Sequence, residues 1–182
     1  MSRFKIAVSG GSQFDYCCRD IIKISQEVGK EIAANDCVLI TGATTGAPYF
    51  AAQGAKKAKG ISIGFSPAAS ERSHIKKYRL PMDYSDVIVY TGFGYSGRNL
   101  LMTRAADGVI FICGRMGTLN EFTISFEDQK PLGVLVGSGG TADQIKGLIK
   151  KPHRVKLRIT YQREPKKLVR ELIKLIKQSK GR

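Results

Sequence analysis

A short apolar segment in the middle of the chain restricts the fold more than any other feature. Gly108 to Ile112 reads GVIFI, with an aspartate before it and a cysteine and a glycine after it. An uninterrupted apolar run of this length between turn residues predicts a strand buried on both faces, as at the centre of a parallel sheet. The following residues, Gly114 to Thr118, predict a tight turn, and Thr118 is a candidate cap for a helix that continues to about Asp128. Because the first amide groups of such a helix point outward, this turn predicts an anion site.

The rest of the chain alternates between apolar runs and helical patterns. Further strands are expected at Phe4 to Ser9, Cys37 to Thr41, Gly60 to Phe65, Val87 to Tyr90, Pro131 to Val136 and Val155 to Thr160. Helices are expected at Asp15 to Ala34, Arg98 to Ala106, Thr141 to Lys150 and from Pro165 onward, with an irregular stretch from Ser66 to Ser85. The alternation predicts an α/β fold, Rossmann-like and doubly wound, with a mostly parallel sheet of about seven strands and helices on both faces.

Composition limits the class of protein. With 182 residues and 42% hydrophobic side chains, we expect a single domain over residues 1–182. No apolar run approaches the roughly 20 residues that span a bilayer, and the N-terminus leads straight into a strand, so a cytoplasmic protein is expected. Cys17, Cys18, Cys37 and Cys113 have no CxxC spacing, which favours reduced thiols over a zinc site or a disulfide framework, and no metal is predicted.

Positive charge is concentrated at the C-terminal end, in a basic strand and helix over residues 152–182. The net charge is +15, and residues 151–182 hold 12 Lys or Arg against Glu164 and Glu171. Leu168, Leu172, Leu175 and Ile176 run through this region at helical spacing, which favours an amphipathic helix with a solvated cationic face. Attraction of nucleic acid or another anionic surface is the alternative, and no membrane partner is expected.

Four glycine-bearing loops are predicted at one edge of the sheet. In open parallel sheets, ligands bind beyond the carboxyl ends of the strands, where these loops lie. Their candidate phosphate-binding residues are Ser9, Gly10, Gly11, Gly42, Thr45, Gly46, Gly97, Asn99, Gly114, Arg115, Gly117 and Thr118. The first of these loops departs from GxGxxG, and GxxxxGK[ST] does not occur, so an ordinary NAD site and a P-loop are not supported. A small phosphate-bearing ligand is therefore predicted, without ATP hydrolysis.

Two charged residues are the candidates for chemistry. Arg98 begins a predicted helix after a glycine-rich loop, where its planar fork could hold a carboxylate or phosphate, although it could equally be a surface cation. Glu121 either forms a capping box with Thr118 or serves a sugar hydroxyl or a developing cation. Asp107 and Glu127 are interpreted as structural, and His74 and His153 as surface residues.

The stretch from Gly97 to Glu121, GRNLLMTRAADGVIFICGRMGTLNE, resembles the LOG (Lonely Guy) superfamily, whose hallmark is an arginine-bearing helix followed by PGGxGTxxE. It looks closer to the branch that includes the molybdenum cofactor carrier protein, which reads ARN and then GGGxGTxxE. The similarity extends over roughly residues 4 to 136. LOG enzymes are phosphoribohydrolases that release a base from a nucleoside 5'-monophosphate, and the resemblance places their catalytic arginine and glutamate on Arg98 and Glu121.

The resemblance implies two functions. The first is nucleotide binding with N-glycosidic hydrolysis, in which Arg98 orients and Glu121 stabilises an oxocarbenium-like transition state. The second is a non-catalytic carrier of a phosphate-bearing cofactor such as the molybdenum cofactor, which Arg98-Asn99 favours. No cofactor is required by the first, a bound nucleotide or molybdopterin-type ligand is implied by the second, and a dimer or higher homo-oligomer is implied by both. Arg115 replaces a family glycine and could either fill the phosphate turn or grip the phosphate.

Overall fold

The computed structural model describes residues 3–149 and 157–181 and contains one sheet of seven parallel strands. The strands are β1 Lys5–Gly10, β2 Val38–Thr41, β3 Ser62–Ser66, β4 Val87–Tyr90, β5 Gly108–Ile112, β6 Leu132–Leu135 and β7 Ile159–Gln162. The helices are α1 Ile21–Ala34, α2 Ala47–Lys57, α3 Glu71–Lys76, α4 Gly94–Ala105, α5 Met116–Glu127, α6 Gly140–Leu148 and α7 Pro165–Ser179. The strand order is β4-β3-β2-β1-β5-β6-β7, and every neighbouring pair is parallel. The predicted Rossmann-like fold is confirmed.

The sheet is buried because helices cover both of its faces. Along β1, Ile6 and Val8 point to the face that α1, α2 and α7 cover, whereas Ala7 points to the face that α4, α5 and α6 cover. The GVIFI strand, β5, is buried at all five positions. This double burial explains why its sequence is continuously apolar.

The C-terminal helix is amphipathic, as its spacing predicts. Leu168, Leu172 and Ile176 are fully buried, while Lys166, Lys167, Arg170, Lys174 and Lys177 are exposed. Packing of the apolar side against α1 and the sheet explains the spacing, and the cationic side faces solvent. Three predictions fall on residues that the structure does not describe: the helix end at Lys150, the strand start at Val155 and the surface position of His153. Among the described residues, no helix has the length and apolarity needed to cross a membrane.

Three local predictions are wrong. Helix α1 begins at Ile21 and not near Asp15, because residues 11–20 form a loop that crosses to the neighbouring turn. Helix α4 begins at Gly94 and not at Arg98, so the glycine-rich residues 94–97 are the first turn of a helix and not part of a loop. His74 is fully buried in the short helix α3, where its ring contacts Ser66 Oγ at 2.8 Å and the Pro81 carbonyl at 3.0 Å. Two local partners explain why a buried imidazole is tolerated there.

Asp107 has a structural role, as predicted. Its carboxylate accepts hydrogen bonds from the Lys5 amide at 2.8 Å and from Lys180 Nζ at 2.6 Å. Burial acts to raise the pKa of Asp107, but these donors outweigh it and hold the pKa below its usual value. The contact joins the start of β1 to the end of α7.

Candidate functional site

A cleft of about 170 Å³ lies at the carboxyl edge of the sheet, where the strand order reverses between β1 and β5. This position is the one where open parallel sheets bind ligands. The cleft is lined by Val8, Ser9, Gly10, Ser12, Gly42, Thr44, Pro48, Tyr95, Arg98, Asn99, Gly117, Thr118 and Glu121. The ends of β1 and β2 thus form one wall, and the first turns of α4 and α5 form the other.

Glu121 lies at the floor of this cleft and is held by three side chains. Ser9 Oγ donates a hydrogen bond to Oε2, and Arg98 Nη1 lies 3.3 Å from Oε1. The Asn99 amide, oriented with its nitrogen toward acceptors, donates to Oε1 at 2.9 Å and to the Tyr95 carbonyl at 3.0 Å. Burial raises the pKa of Glu121 above its usual value of 4.5, and the Arg98 charge and the Ser9 hydrogen bond oppose this rise. Both oxygens of the carboxylate therefore have protein donors.

The Arg98 guanidinium is buried against the loop after β2. A β-carbon added at Gly42 would lie 1.9 Å from Arg98 Nη1, so only glycine leaves room for the arginine. Burial lowers the pKa of Arg98, and Glu121 opposes that shift. Among the described residues, Arg98 Nε has no hydrogen-bond partner although it is buried. An unpaired buried donor costs stability, so this nitrogen is available to a bound acceptor at no cost in existing hydrogen bonds.

The turn between β5 and α5 is built from left-handed backbone. Cys113 has φ 52° and Gly114 has φ 93°, and a β-carbon at Gly114 would lie 2.1 Å from Thr118 Oγ1. Helix α5 begins at Met116 with Arg115 in the cap position, and no side chain caps it. The prediction that Thr118 caps this helix is therefore wrong, and the capping-box alternative for Glu121 is excluded, because Thr118 lies inside the first turn with its side chain buried against Gly114. This packing leaves the first amide groups of α5 at the cleft.

Arg115 extends away from the cleft. Its Nη1 donates to Gln13 Oε1 at 3.2 Å, and its guanidinium carbon lies 5.0 Å from the centre of the Tyr16 ring. Its backbone carbonyl accepts a hydrogen bond from Thr141 Oγ1 at 3.0 Å. The side chain thus contacts the loop of residues 11–20 and does not line the cleft, unlike Gly117 and Thr118 on the same turn.

A disulfide bond joins Cys17 to Cys113, whose Cα atoms lie 5.5 Å apart. The expectation of four reduced thiols is therefore wrong, and Cys18 and Cys37 are the free cysteines among the described residues. The two bonded residues are separated by 96 positions in the chain. They meet only because β1 and β5 are adjacent in the sheet, which no local spacing reveals.

The remaining predicted residues surround the cleft without lining it. The Gly11 carbonyl accepts a hydrogen bond from the Ala47 amide, Thr45 Oγ1 donates to the Ser12 carbonyl at 3.4 Å, and Gly46 occupies the cap position of α2. Gly97 packs against Phe93 inside α4. Five residues that line the cleft were missed: Val8 at the end of β1, and Ser12, Thr44, Pro48 and Tyr95, which belong to or adjoin the predicted glycine loops. For the last four, their position in those loops was the available signal.

Comparisons with known proteins support the fold and identify the family. An uncharacterised protein of Archaeoglobus fulgidus is 28% identical over 135 residues, which is 74% of this chain and 82% of that protein. A molybdenum cofactor binding protein from Rippkaea orientalis is 28% identical with a TM-score of 0.74 and 98% coverage of both chains. The molybdenum cofactor carrier protein of Chlamydomonas reinhardtii is 23% identical with a TM-score of 0.75, over 96% of this chain and 99% of that one. These similarities agree with the resemblance to a LOG-like superfamily. The model of the SLOG cluster4 family matches residues 3–169, and the chain belongs to that family.

Proposed function

We propose that this protein binds a phosphate-bearing heterocyclic molecule in the cleft, as a carrier of a nucleotide or a molybdopterin-type cofactor. The observation that carries the proposal is the buried Arg98, which is paired with Glu121 at the floor of the cleft and keeps one donor unpaired. A buried ion pair contributes little net stability, because desolvation offsets the attraction between the charges. Its position beside a cleft is better explained by ligand binding.

The cleft suits the phosphate and sugar portion of such a ligand. The amide groups at the start of α5 and the positive end of its dipole favour an anion beside Gly117 and Thr118. A volume of 170 Å³ lies below the range of about 300–1,000 Å³ that holds drug-sized ligands, so a ring system would extend to the rim. Tyr95 stands there, half exposed, and its ring can stack on a flat heterocycle.

The contacts of Glu121 favour a carrier over a hydrolase. Both of its oxygens accept hydrogen bonds from protein groups, so the carboxylate is committed to holding Ser9, Arg98 and Asn99 in position. The relative from Rippkaea orientalis, named for binding the molybdenum cofactor, supports the same function, since its similarity extends over nearly the whole of both chains.

Gly117→Ala tests the site without disturbing the fold. A β-carbon at Gly117 would meet no described atom within 4 Å, and the residue lines the cleft. The added methyl group would therefore stand where the phosphate binds. Mass spectrometry of the purified protein should identify a retained nucleotide or pterin, and calorimetry with adenosine 5'-monophosphate should show a loss of affinity of about tenfold or more in the variant, equivalent to about 1.4 kcal/mol.

Met116→Ala is the matched control, because Met116 is the adjacent residue, is exposed and does not line the cleft. It should bind like the wild-type protein. Equal affinity of wild type and Gly117→Ala for every phosphate-bearing ligand that binds would exclude this cleft as the site.

A phosphoribohydrolase is the second candidate function. The observation that favours it is the raised pKa of Glu121 beside a buried arginine, since such perturbed pairs are common in active sites. In this case Arg98 would orient the substrate, and Glu121 would stabilise positive charge on the ribose as the bond to the base breaks. Incubation with a panel of nucleoside 5'-monophosphates should then release free base and ribose 5-phosphate, and Glu121→Gln should abolish the release. If the protein binds these ligands but hydrolyses none of them, the hydrolase function is excluded and only the carrier function stands.

A further inference from the structure

The Cys17–Cys113 disulfide connects the loop of residues 11–20 to the turn between β5 and α5. Cys17 belongs to the loop of residues 11–20, which contributes Ser12 to the cleft, and Cys113 directly precedes the turn that contributes Gly117 and Thr118. The bond therefore crosses the crevice between β1 and β5 beside the proposed phosphate position.

Other contacts join that loop mainly to α2 and to residues 138–139. The Ala47 amide and Thr45 Oγ1 bond the carbonyls of Gly11 and Ser12, and Cys17 forms a backbone bridge with Gly139. The Cys18 amide donates to the Ser138 carbonyl at 3.0 Å, and Arg115 bonds Gln13 at the surface. Residues Ser12, Gln13, Asp15 and Tyr16 are exposed and belong to no helix or strand. Between this loop and the turn of residues 113–118, the disulfide is the covalent link, and its reduction leaves the surface contacts of Arg115 with Gln13 and Tyr16.

The two sulfur atoms differ in accessibility and environment. Cys17 is half-buried, whereas Cys113 is 1% exposed. Cys113 lies between the first turns of α5 and α6, and its carbonyl accepts a hydrogen bond from the Ala142 amide at 2.9 Å. Cys17 Sγ is therefore the sulfur that a dithiol in solution reaches, and Cys113 is the leaving thiolate.

We propose that Cys17–Cys113 is a reactive disulfide that takes a small or protein dithiol as its reductant, and that its reduction weakens ligand binding in the cleft. One thiolate of the dithiol attacks Cys17 Sγ, the bond to Cys113 breaks, and its electron pair stays on Cys113 Sγ. The second thiol attacks the mixed disulfide and releases Cys17, and the reductant leaves as a disulfide. Two electrons and two protons pass to the protein, and the effect on binding rests on the proposed function.

The chemical part of the proposal is tested without any ligand. Alkylation after denaturation, followed by mass spectrometry, should count two free thiols in the oxidised protein and four after treatment of the folded protein with dithiothreitol, with Cys17 and Cys113 as the new ones. Hydrogen exchange of residues 12–18 and 113–118 should accelerate on reduction while the amides of β5 remain protected. Four free thiols in protein kept under air, or unchanged exchange after reduction, would overturn the proposal.

The consequence for binding is tested with adenosine 5'-monophosphate. Reduction of the wild-type protein should weaken its affinity about fivefold or more, the scale of a coupling between two sites. Cys17→Ser should bind like the reduced protein and show no response to dithiothreitol. Cys18→Ser, whose thiol is adjacent but unbonded, should respond like the wild type.

Failure of the proposed function is distinguishable from failure of this proposal. If neither redox form binds any phosphate-bearing ligand, the proposed function is wrong, and thiol counting and hydrogen exchange still decide whether the disulfide is reactive. If both forms bind with the same affinity, the proposed function stands and control of binding by the disulfide is excluded.

Discussion

Arg115 stands where the LOG motif that the sequence resembles has a glycine, and its side chain is directed toward the loop of residues 11–20. Its partners are Gln13 and the Tyr16 ring, at the surface and away from the lining of the cleft. We therefore expect Arg115→Gly to change the affinity for a nucleoside monophosphate by less than about twofold at both low and high salt, since exposed contacts of this kind are worth little. Calorimetry at two salt concentrations measures this.

Two other results would contradict that orientation. A loss of affinity that is larger at low salt would show that Arg115 turns to grip the phosphate, because screening weakens charge-assisted contacts. A gain of affinity would show that the side chain blocks the turn. Lys77 is another exposed cation that lies over a tyrosine ring, that of Tyr78. Lys77→Gly is therefore the control for a general effect of losing one positive charge.

Glu121 should make the stability of the protein depend on pH. Burial raises its pKa above 4.5, so the folded state binds the proton more tightly than the unfolded chain does. The stability from this group is fully present below the unfolded pKa of about 4.5 and is lost as the pH rises through the higher folded pKa. The free energy of unfolding of the wild type, minus that of Glu121→Gln, should therefore decrease between pH 4 and pH 8. Urea unfolding at several pH values measures this difference, and a difference that increases with pH would show that Arg98 and Ser9 outweigh burial.

At the scale of elements, the exposed side of α7 is the feature with the most concentrated charge. Lys166, Lys167, Arg170, Lys174 and Lys177 line a groove beside α1, with only Glu164 and Glu171 as acidic neighbours there. If this side binds nucleic acid, replacing Arg170 and Lys174 by Ala should weaken binding to DNA of any sequence. The slope of log affinity against log salt should fall by about 0.7–0.9 for each phosphate that the variant no longer neutralises. Fluorescence anisotropy at several salt concentrations measures it, and an unchanged slope would show that α7 is only a solvated face.

Features of the fold and the site that follow from a single local sequence pattern were predicted correctly. The seven strands, the amphipathic α7 and the meeting of Arg98 with Glu121 follow from apolar runs, helical spacing and a motif that the resemblance identifies. The start of α4 at Gly94 was not predictable, because glycine and serine are common in loops and only packing against α5 and β3 makes the segment helical. The Cys17–Cys113 bond and the direction of Arg115 depend on the loop of residues 11–20, whose path is set by contacts that are distant in sequence.

At the scale of the whole molecule, the net positive charge favours the edge strand β4 as the surface where two copies of the chain could associate. The register pairs Val87 with Ile63 and Val89 with Phe65, so both valines lie on the sheet face that α4 covers elsewhere. They are nevertheless 53% and 39% exposed, at the edge of the sheet. A chain with a net charge of +15 repels its own copies over most of its surface, and an uncharged apolar edge is where two copies meet at the lowest cost.

We therefore expect a dimer in solution that uses this edge, in agreement with the oligomers that the family resemblance implies. Replacing Val87 and Val89 by Lys places four like charges across a symmetric interface and should convert the dimer to a monomer. Ile22→Lys, in an exposed apolar residue of α1 on the opposite face, should leave the dimer intact. Light scattering over a range of protein concentrations distinguishes the two forms. A wild-type monomer would exclude the dimer, and a dimer that survives the double substitution would place the interface elsewhere.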